Sequence, residues 1–125
     1  MAIEYVTNRP LPPDQIMEVF ESVGWNKDRQ TIQEAFCRSY CAASFDGDKL
    51  VGFARAISDK LYYTGIYDVV VRPDYQRKGI GRTLVNMLLN AFAGTYIFLT
   101  YTEGNRDFYQ KCGFQDNDSA MWIPK

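Results

Sequence analysis

The sequence predicts a single α/β (α+β) domain over residues 1–125, built on a mixed, mostly antiparallel sheet. Hydrophobic patterns with the period of a helix alternate along the chain with patterns typical of strands. No linker, internal repeat or low-complexity tract divides the chain. A length of 125 residues, of which 46% are hydrophobic, suits one domain with a substantial core.

Five elements are predicted in the first half of the chain. Ile16, Val19 and Phe20 recur at helical spacing after a Pro-Pro-Asp start, and Gly24 ends that pattern. The letters Asp-Gly-Asp at 46–48 indicate a tight turn between two strands. The predicted elements are a strand at 3–6, a helix at 12–24, a second helix from Asp28, and a hairpin of strands at 40–45 and 50–57.

The second half is predicted to contain a strand–helix–strand unit. The β-branched run at 66–71 stops before Pro73, which is typical of a buried strand. A helical pattern at 81–92 and a strand at 96–100 follow, so the two strands should be parallel and joined by a right-handed crossover. The remaining predicted elements, which bring the helices to about four, are a short helix at 106–111 and terminal strands at Phe114 and 120–123.

Composition excludes several classes of function. The chain has no histidine, which excludes a Ser-His-Asp hydrolase, a Cys-His protease and a His-ligated zinc enzyme. Its formal net charge of -1 lacks the basic surplus of a protein that binds nucleic acid through phosphates. No apolar stretch has the length of a membrane span, and the first residues lack the pattern of a secretory signal. We therefore expect no nucleic-acid partner and no membrane partner.

The three cysteines indicate a reducing compartment. Cys37, Cys41 and Cys112 form neither an even framework nor a Cys-x-x-Cys pair. The spacing of the first two could suit a metal, but no further ligands lie nearby in the sequence. We expect reduced thiols in a cytoplasmic protein and no bound metal.

The stretch with the most chemical information, residues 66–84, is predicted to be a strand, a tight turn and a helix start. The start of a helix directs backbone N–H groups and a positive dipole at one point, which suits a phosphate or diphosphate. Gly79 and Gly81 let a ligand approach the backbone without a Cβ in the way. The cationic side chains around this turn are Arg77, Lys78 and Arg82.

Other glycine-rich motifs fit these letters less well. A Walker A loop requires Gly-Lys followed by Ser or Thr, whereas Gly81 is followed by Arg82. A dinucleotide-binding fingerprint requires a third glycine where the chain has Leu84. A basic turn that opens a helix and binds nothing remains open on these residues alone.

Two motifs resemble those of the GNAT acetyltransferase family. The letters Gln-x-x-Gly-x-Gly at 76–81, preceded by Val-Arg-Pro at 71–73, resemble the family's coenzyme A signature. The run at 108–114, an aromatic-Tyr pair that ends in Gly-Phe, resembles its second hallmark. The resemblance implies an enzyme, an acetyl-CoA-dependent N-acetyltransferase that uses no metal. It also implies a central pair of parallel strands that splay apart to hold coenzyme A, and homodimers are common among such folds.

The resemblance further implies which residues bind acetyl-CoA, the cosubstrate. Backbone groups of the central strand would pair with the pantetheine arm, and those of the glycine-rich turn would hold the diphosphate. Asn105 could contact the cosubstrate, although the family often has Ala there and Asn where this chain has Thr102. The implied binding residues are Val69, Val70, Val71, Gln76, Arg77, Lys78, Gly79, Ile80, Gly81, Arg82, Thr83, Asn105 and Tyr109.

Three residues are candidates for the catalytic chemistry. Tyr109 occupies the position of a family tyrosine near the coenzyme A sulfur, where a phenol could protonate the departing thiolate; a packing role is the alternative. The amine must lose a proton before it attacks, and our preferred hypothesis is a water relay near Tyr67. Asp68 is a second candidate for the base, but alternation along a strand should turn it away from the cleft unless a bulge intervenes.

Shorter matches resemble the plant chloroplast serotonin-type N-acetyltransferases of the same superfamily. They are Val-Gly-Trp at 23–25, Tyr-Asp-Val at 67–69 and the ending Met-Trp-Ile-Pro-Lys at 121–125. These matches favour an arylalkylamine or another small amine as the acceptor. A non-catalytic acyl-CoA-binding regulatory module and a protein lysine or N-terminal acetyltransferase remain open. The aromatic candidates for an acceptor pocket are Trp25, Phe53, Tyr62, Tyr63, Tyr67, Tyr101 and Trp122.

Overall fold

The computed structural model describes residues 2–125. The elements in chain order are β1 (Ile3–Thr7), α1 (Pro13–Ser22), α2 (Arg29–Cys37), β2 (Tyr40–Asp46), β3 (Lys49–Ser58), β4 (Tyr63–Val71), α3 (Ile80–Ala91), β5 (Tyr96–Phe98) and α4 (Arg106–Lys111). A 3₁₀ turn at Pro73–Tyr75 lies between β4 and α3. Up to α4, the order of helices and strands in this part of the chain is the predicted one.

Local sequence explains where the helices begin. Proline occupies the first position of α1, where its missing N–H is not needed. The carboxylate of Asp28 caps α2 by accepting a hydrogen bond from the Thr31 N–H at 2.9 Å. No side chain caps α1 or α3, and α3 follows Gly79 in the left-handed conformation (φ 82°). The first N–H groups of α3 are therefore left without a side-chain acceptor.

The strands form one five-stranded sheet in the order β1-β2-β3-β4-β5. Neighbours from β1 to β4 pair antiparallel, whereas β4 and β5 pair parallel across the connection through α3. This mixed, mostly antiparallel sheet with four α-helices confirms the predicted fold class. The parallel pair was expected at the centre of the sheet, but β5 is an edge strand among residues 2–125.

Helices cover both faces of the sheet. On one face α1 and α2 bury the rings of Phe20, Phe36 and Phe53, with centroids 5.1–6.1 Å apart. On the other face α3 packs Leu84 and Leu88, both fully buried, against the strands. Aromatic and aliphatic contacts of this kind supply most of the free energy of folding.

The prediction of terminal strands was wrong for the part of the chain that the structure describes. Neither Phe114 nor residues 120–123 form a strand, and β5 ends at Phe98 instead of Thr100. The local pattern of Met121, Trp122 and Ile123 is strand-like, yet these side chains are 81–97% exposed. A strand needs a partner as well as a pattern, and no strand pairs with the outer edge of β5 in this structure.

Candidate active site

The parallel strands β4 and β5 pair over a short distance and then separate. Their register joins Tyr63 to Tyr96, Thr64 to Ile97 and Gly65 to Phe98, and pairing stops there. The rest of β4, residues 66–71, therefore has no strand partner on the β5 side within the described chain. An unpaired strand segment beside a gap can form hydrogen bonds with an extended ligand.

A bulge in β4 accompanies this separation. Arg55 of β3 pairs with Tyr67, but Phe53 pairs with Val70, so β4 has one extra residue between the two pairs. Asp68, within this interval, has a positive φ of 54°. Bulges of this kind bend the strand and increase its twist. The strict alternation that should have turned Asp68 away from the Tyr67 face therefore does not hold here.

The turn after β4 leaves the start of α3 accessible. Both Arg77 and Gly79 have positive φ values, 62° and 82°, and a Cβ added at Gly79 would meet no atom within 4 Å. The side-chain amide of Gln76 donates to the Val71 carbonyl oxygen at 2.8 Å, which fixes the turn to the end of β4. A left-handed residue before uncapped N–H groups forms the kind of backbone concavity that binds anions.

Cationic side chains surround this turn. Arg77, Lys78 and Arg82 are exposed, and none of them is ion-paired within residues 2–125. They can therefore approach an anion without first losing a carboxylate partner. The predicted collection of positive charge at this helix start is present in the structure.

Helix α4 packs against the same helix start. A Cβ added at Gly81 would lie 3.3 Å from the ring of Phe108, so the glycine permits close contact between α3 and α4. This contact brings α4, and with it Tyr109, beside the first turn of α3. The two predicted motifs are thus adjacent in the fold although they are far apart in the sequence.

Tyr109 lines a cavity of about 910 Å³ between β4, β5, α4 and the C-terminal segment. Its ring packs edge-on against Phe108 and Phe114, with centroids 5.0 Å and 6.0 Å away. Burial raises the pKa of the Tyr109 phenol to about 12, and the nearby Cys112 contributes in the same direction. The phenol is therefore protonated at neutral pH and able to donate a hydrogen bond into the cavity.

Tyr67 lines the same cavity, whereas the carboxylate of Asp68 is already engaged. Tyr67 is 45% exposed. The Asp68 carboxylate accepts a hydrogen bond from Arg55 Nε at 2.8 Å, in an ion pair whose side chains are only 13–14% exposed. The structure thus brings together the two candidate tyrosines and places the candidate carboxylate in a partly buried ion pair.

Asn105 lies apart from this arrangement. It precedes α4, and its amide donates to the Thr102 hydroxyl at 2.7 Å. Both side chains are exposed, and neither lines the cavity. A contact between Asn105 and the cosubstrate stays a prediction.

Sequence reasoning missed Arg55 and Cys112. Cys112 lines the cavity, and burial raises the pKa of its thiol although Arg82 acts in the opposite direction. Arg55 is a charged residue within the apolar run Phe-Ala-Arg-Ala-Ile at 53–57, and Asp68 is its counterpart in the next strand. Opposite charges in two adjacent buried strands were a readable signal for an ion pair.

Residues 2–125 offer neither a metal-binding cluster nor a membrane-spanning helix. No group of three or more Cys, Asp or Glu side chains in this range could hold a metal ion. No helix in the same range has both the length and the apolar character required to cross a membrane.

The fold and the two adjacent motifs define a class of acetyl-transferring proteins. Residues 11–114 match the sequence profile of the acetyltransferase (GNAT) family. That match spans most of the chain, so the chain belongs to the acetyltransferase (GNAT) family. Members of this family are enzymes that use acetyl-CoA as cosubstrate.

Curated relatives include algal and plant proteins. An uncharacterized N-acetyltransferase ycf52 from Pyropia yezoensis is 30% identical over 132 aligned positions, which cover 95% of this chain and 76% of that relative. The GCN5-related N-acetyltransferase 2, chloroplastic, from Arabidopsis thaliana is 38% identical over 84 residues. That second alignment covers 62% of this chain but only 33% of the relative, so the chain spans about a third of its length.

Solved structures have the same fold. A GNAT-family acetyltransferase from Streptococcus pneumoniae TIGR4 superposes with a TM-score of 0.85 at 28% identity, covering 99% of each chain. Glucosamine-6-phosphate N-acetyltransferase from Arabidopsis thaliana superposes with a TM-score of 0.75 at 15% identity, again over 99% of each chain. The second likeness shows the fold alone.

Proposed function

We propose that this protein transfers the acetyl group of acetyl-CoA to a primary amine by direct attack within a ternary complex. The observation that carries the proposal is the position of the gap between β4 and β5. This gap adjoins the uncapped start of α3 on one side and the Tyr109 cavity on the other. One extended ligand with a diphosphate, an amide-containing arm and a reactive thioester would match these three features in turn.

The cosubstrate would be held mainly by backbone groups. Val69 and Val71 would pair with the pantetheine amides as a neighbouring strand does, because β4 has no partner there. The diphosphate would accept hydrogen bonds from the N–H groups around Gly79 and Gly81. Arg77, Lys78 and Arg82 would add a salt-sensitive attraction for the phosphates.

The reaction would form one bond and break another at the acetyl carbonyl carbon. The neutral amine attacks this carbon, and a backbone N–H near Val69 or Val70 donates to the oxyanion that develops on the carbonyl oxygen. Collapse of the tetrahedral intermediate breaks the carbon–sulfur bond and releases a thiolate. One proton leaves the amine nitrogen, and one proton is delivered to the sulfur.

Tyr109 would stabilise the departing sulfur. Its raised pKa, about 12, keeps the phenol protonated and available as a donor. A thiol in water has a pKa of about 8.5, so full proton transfer to a solvated thiolate would be uphill by roughly 5 kcal/mol. We therefore expect a hydrogen bond in the transition state, with the proton transferred as the desolvated thiolate leaves.

The proton from the amine would leave through water near Tyr67. The ion pair with Arg55 gives Asp68 a structural role, so we rank Asp68 second as a candidate base. Tyr67 lines the cavity and is partly exposed, which leaves room for a water relay to solvent. Suppose that Asp68→Asn abolished turnover, together with the acidic limb of the pH–rate profile, and left stability unchanged. The base would then be Asp68.

An arylalkylamine is our preferred acceptor. The cavity has an aromatic lining that suits a flat ring, made of Tyr67, Phe98, Tyr101, Tyr109 and Phe114. Aromatic faces also attract the cationic form of an amine as it arrives. Of the other aromatic candidates, Phe53 is fully buried in the core and Trp122 is 81% exposed.

A protein lysine is the second candidate acceptor. One relative is named histone acetyltransferase TAP1, from Glycine max, at 27% identity over 83% of this chain and 54% of that protein. A lysine side chain would need a channel wide enough for an aliphatic amine, and it would not need an aromatic wall. A non-catalytic acyl-CoA-binding module is the third possibility, and it requires that Tyr109 be dispensable.

An acceptor panel tests the proposed function. Acetyl-CoA would be incubated with tryptamine, hexylamine, a histone-tail peptide and buffer alone, and free thiol release would be measured. We expect the highest kcat/KM with tryptamine. Preference for the peptide would favour the second candidate, and acetyl-CoA binding without thiol release to any acceptor would favour the third.

We also propose a homodimer. Tyr62, Tyr63 and Tyr96 form an exposed stacked cluster where the β4–β5 pair begins, and Met121 to Ile123 are exposed as well. A second copy could bury this surface in an isologous contact. Sedimentation at micromolar concentration should give a dimer mass, and a monomer at all concentrations would refute the proposal.

The cellular compartment also stays a proposal. The cysteine content led us to expect a cytoplasmic protein, whereas two of the Arabidopsis thaliana relatives are named chloroplastic. Both compartments contain reduced thiols and acetyl-CoA chemistry. A fluorescent fusion of the full-length natural protein would distinguish them.

A further inference from the structure

Arg55 is fixed at two points on the face of the sheet that carries Tyr67. Its Nε donates to the Asp68 carboxylate at 2.8 Å, and its Nη1 donates to the Ser39 hydroxyl at 3.0 Å. The Ser39 hydroxyl in turn donates to the Ala35 carbonyl oxygen in α2. The arginine head is therefore held between the β4 bulge and the end of α2.

The held guanidinium lies within cation–π distance of two aromatic rings. Its Cζ atom is 5.7 Å from the centroid of Phe36 and 5.6 Å from the centroid of Tyr67. Phe36 is buried, so it supports the guanidinium from the core side. A planar cation at these distances attracts an aromatic face and limits its rotation.

Gly65 leaves the space that the Tyr67 ring occupies. A Cβ added at Gly65 would lie 2.8 Å from both Cε2 and the hydroxyl oxygen of Tyr67. Residues 65 and 67 point to the same face of β4, so the ring lies back over the glycine. Any side chain at position 65 would displace the Tyr67 ring from its present place.

We propose that Arg55 and Gly65 are positioning residues that hold the Tyr67 ring as a flat wall of the acceptor site. Tyr67 is 45% exposed and lines the same cavity as Tyr109, so an unsupported ring would sample several rotamers. A fixed ring selects acceptors with an aromatic group. Because Asp68 neutralises Arg55, the guanidinium holds the ring without repelling a cationic amine.

This inference rests on the proposed function, and steady-state kinetics with two amines test it. We expect Gly65→Ala to raise the KM for tryptamine about 5–10-fold, the effect of one lost aromatic contact. The KM for hexylamine, the Kd for acetyl-CoA and the melting temperature should change little. Arg55→Met should also raise the KM for tryptamine. Its control is Arg38→Met, at an exposed arginine, which should leave this KM unchanged.

Gly65→Ala keeps the Arg55–Asp68 ion pair, so it remains informative if Arg55→Met does not fold. In a Tyr67→Ala background, Gly65→Ala should have no further effect on tryptamine, because the ring through which it acts is gone. If the effects of Gly65→Ala and Tyr67→Ala on the KM for tryptamine were additive, the inference would be overturned. It would also be overturned if Gly65→Ala raised the KM for hexylamine as much as the KM for tryptamine.

A separate measurement distinguishes this inference from the proposed function. If the wild-type protein acetylates neither amine nor the histone-tail peptide, the proposed function fails, and a crystal structure of Gly65→Ala then decides the inference. A displaced Tyr67 ring would support the positioning role. A ring in the same place would overturn it.

Discussion

The two halves of the sheet differ in how completely their strands pair. Strands β2 and β3 pair from Tyr40–Ala56 to Asp46–Lys49, along the whole length of β2. Strands β4 and β5 pair only from Tyr63–Tyr96 to Gly65–Phe98. The first pair packs against the aromatic core beneath α1 and α2. The strands of the second pair separate beside α3.

The difference shows how one small domain separates stability from binding. Where pairing is complete, the buried side chains are large and apolar, as at Phe53 and Leu50. Both halves contain a bulge, at Ser44–Phe45 in the first and between Phe53 and Arg55 in the second. Where pairing stops, the second half has an open edge on β4, a turn in which Arg77 and Gly79 have positive φ, and the uncapped start of α3. Substitutions in the first region should lower the free energy of unfolding. Substitutions in the second region should change ligand binding or turnover.

The largest effect should come from Phe53→Ala in the well-paired half. Phe53 is fully buried and its ring lies 5.1 Å from those of Phe20 and Phe36, so truncation should cost about 3–5 kcal/mol of unfolding free energy. Urea denaturation measures this change. Tyr96→Ala, at a 62% exposed position on β5, should cost less than about 1 kcal/mol. Equal losses of unfolding free energy in Phe53→Ala and Tyr96→Ala would contradict the proposed difference between the halves.

The next effect should come from Tyr109→Phe in the open half. Loss of the hydroxyl should lower kcat about a hundredfold, within the range for general acid catalysis, and leave the acetyl-CoA Kd within about twofold. Stopped-time assays of thiol release and calorimetry measure the two quantities. Tyr101→Phe, at another cavity residue, is the control and should keep most of the activity. An unchanged kcat in Tyr109→Phe would remove this phenol from the mechanism.

A smaller effect should come from Gly79→Ala, for which the well-paired half offers a matched control. Gly79 and Gly47 both have positive φ, 82° and 61°, and open space around the Cβ position. Alanine at either position should cost about 1 kcal/mol of stability through backbone strain. Only Gly79→Ala should weaken acetyl-CoA binding, because Gly47 lies in the β2–β3 turn. Equal effects on binding would argue against a diphosphate site at this turn.

An effect confined to high pH should appear in the pH dependence of stability. The folded-state pKa of Tyr109 is about 12, above the ordinary value of 10.0. A raised pKa means that the phenol's contribution is complete below pH 10 and is lost as pH rises toward 12. The melting temperature of the wild type should therefore fall more steeply over this interval than that of Tyr109→Phe. If the melting temperatures of the wild type and of Tyr109→Phe fell in parallel between pH 10 and pH 12, the burial of this phenol would be contradicted.

Much of the fold was predictable because its patterns are local. The spacing of Ile16, Val19 and Phe20 defines α1, and the Asp-Gly-Asp turn defines the β2–β3 hairpin. Both depend on residues close in sequence. The terminal strands were predicted in the same way and are absent in residues 114–125, because Met121, Trp122 and Ile123 have no strand to pair with.

The layout of the candidate site was predictable only where short motifs define it, and the roles of its residues stay predictions. The turn at 76–82 and Tyr109 were found from their letters, and the structure places them side by side through Gly81 and Phe108. The bulge at Asp68 was not predictable from its own neighbours. Its conformation depends on Arg55, thirteen residues earlier, and on the pairing of β3 with β4.

The central claim is that the unpaired edge of β4 and the start of α3 together hold acetyl-CoA. Calorimetric titration of the wild-type protein with acetyl-CoA and with S-acetylpantetheine, which lacks the diphosphate, tests it most directly. We predict saturable binding of both, at least tenfold tighter for acetyl-CoA because only it carries the phosphates. No heat of binding with millimolar acetyl-CoA would contradict the claim.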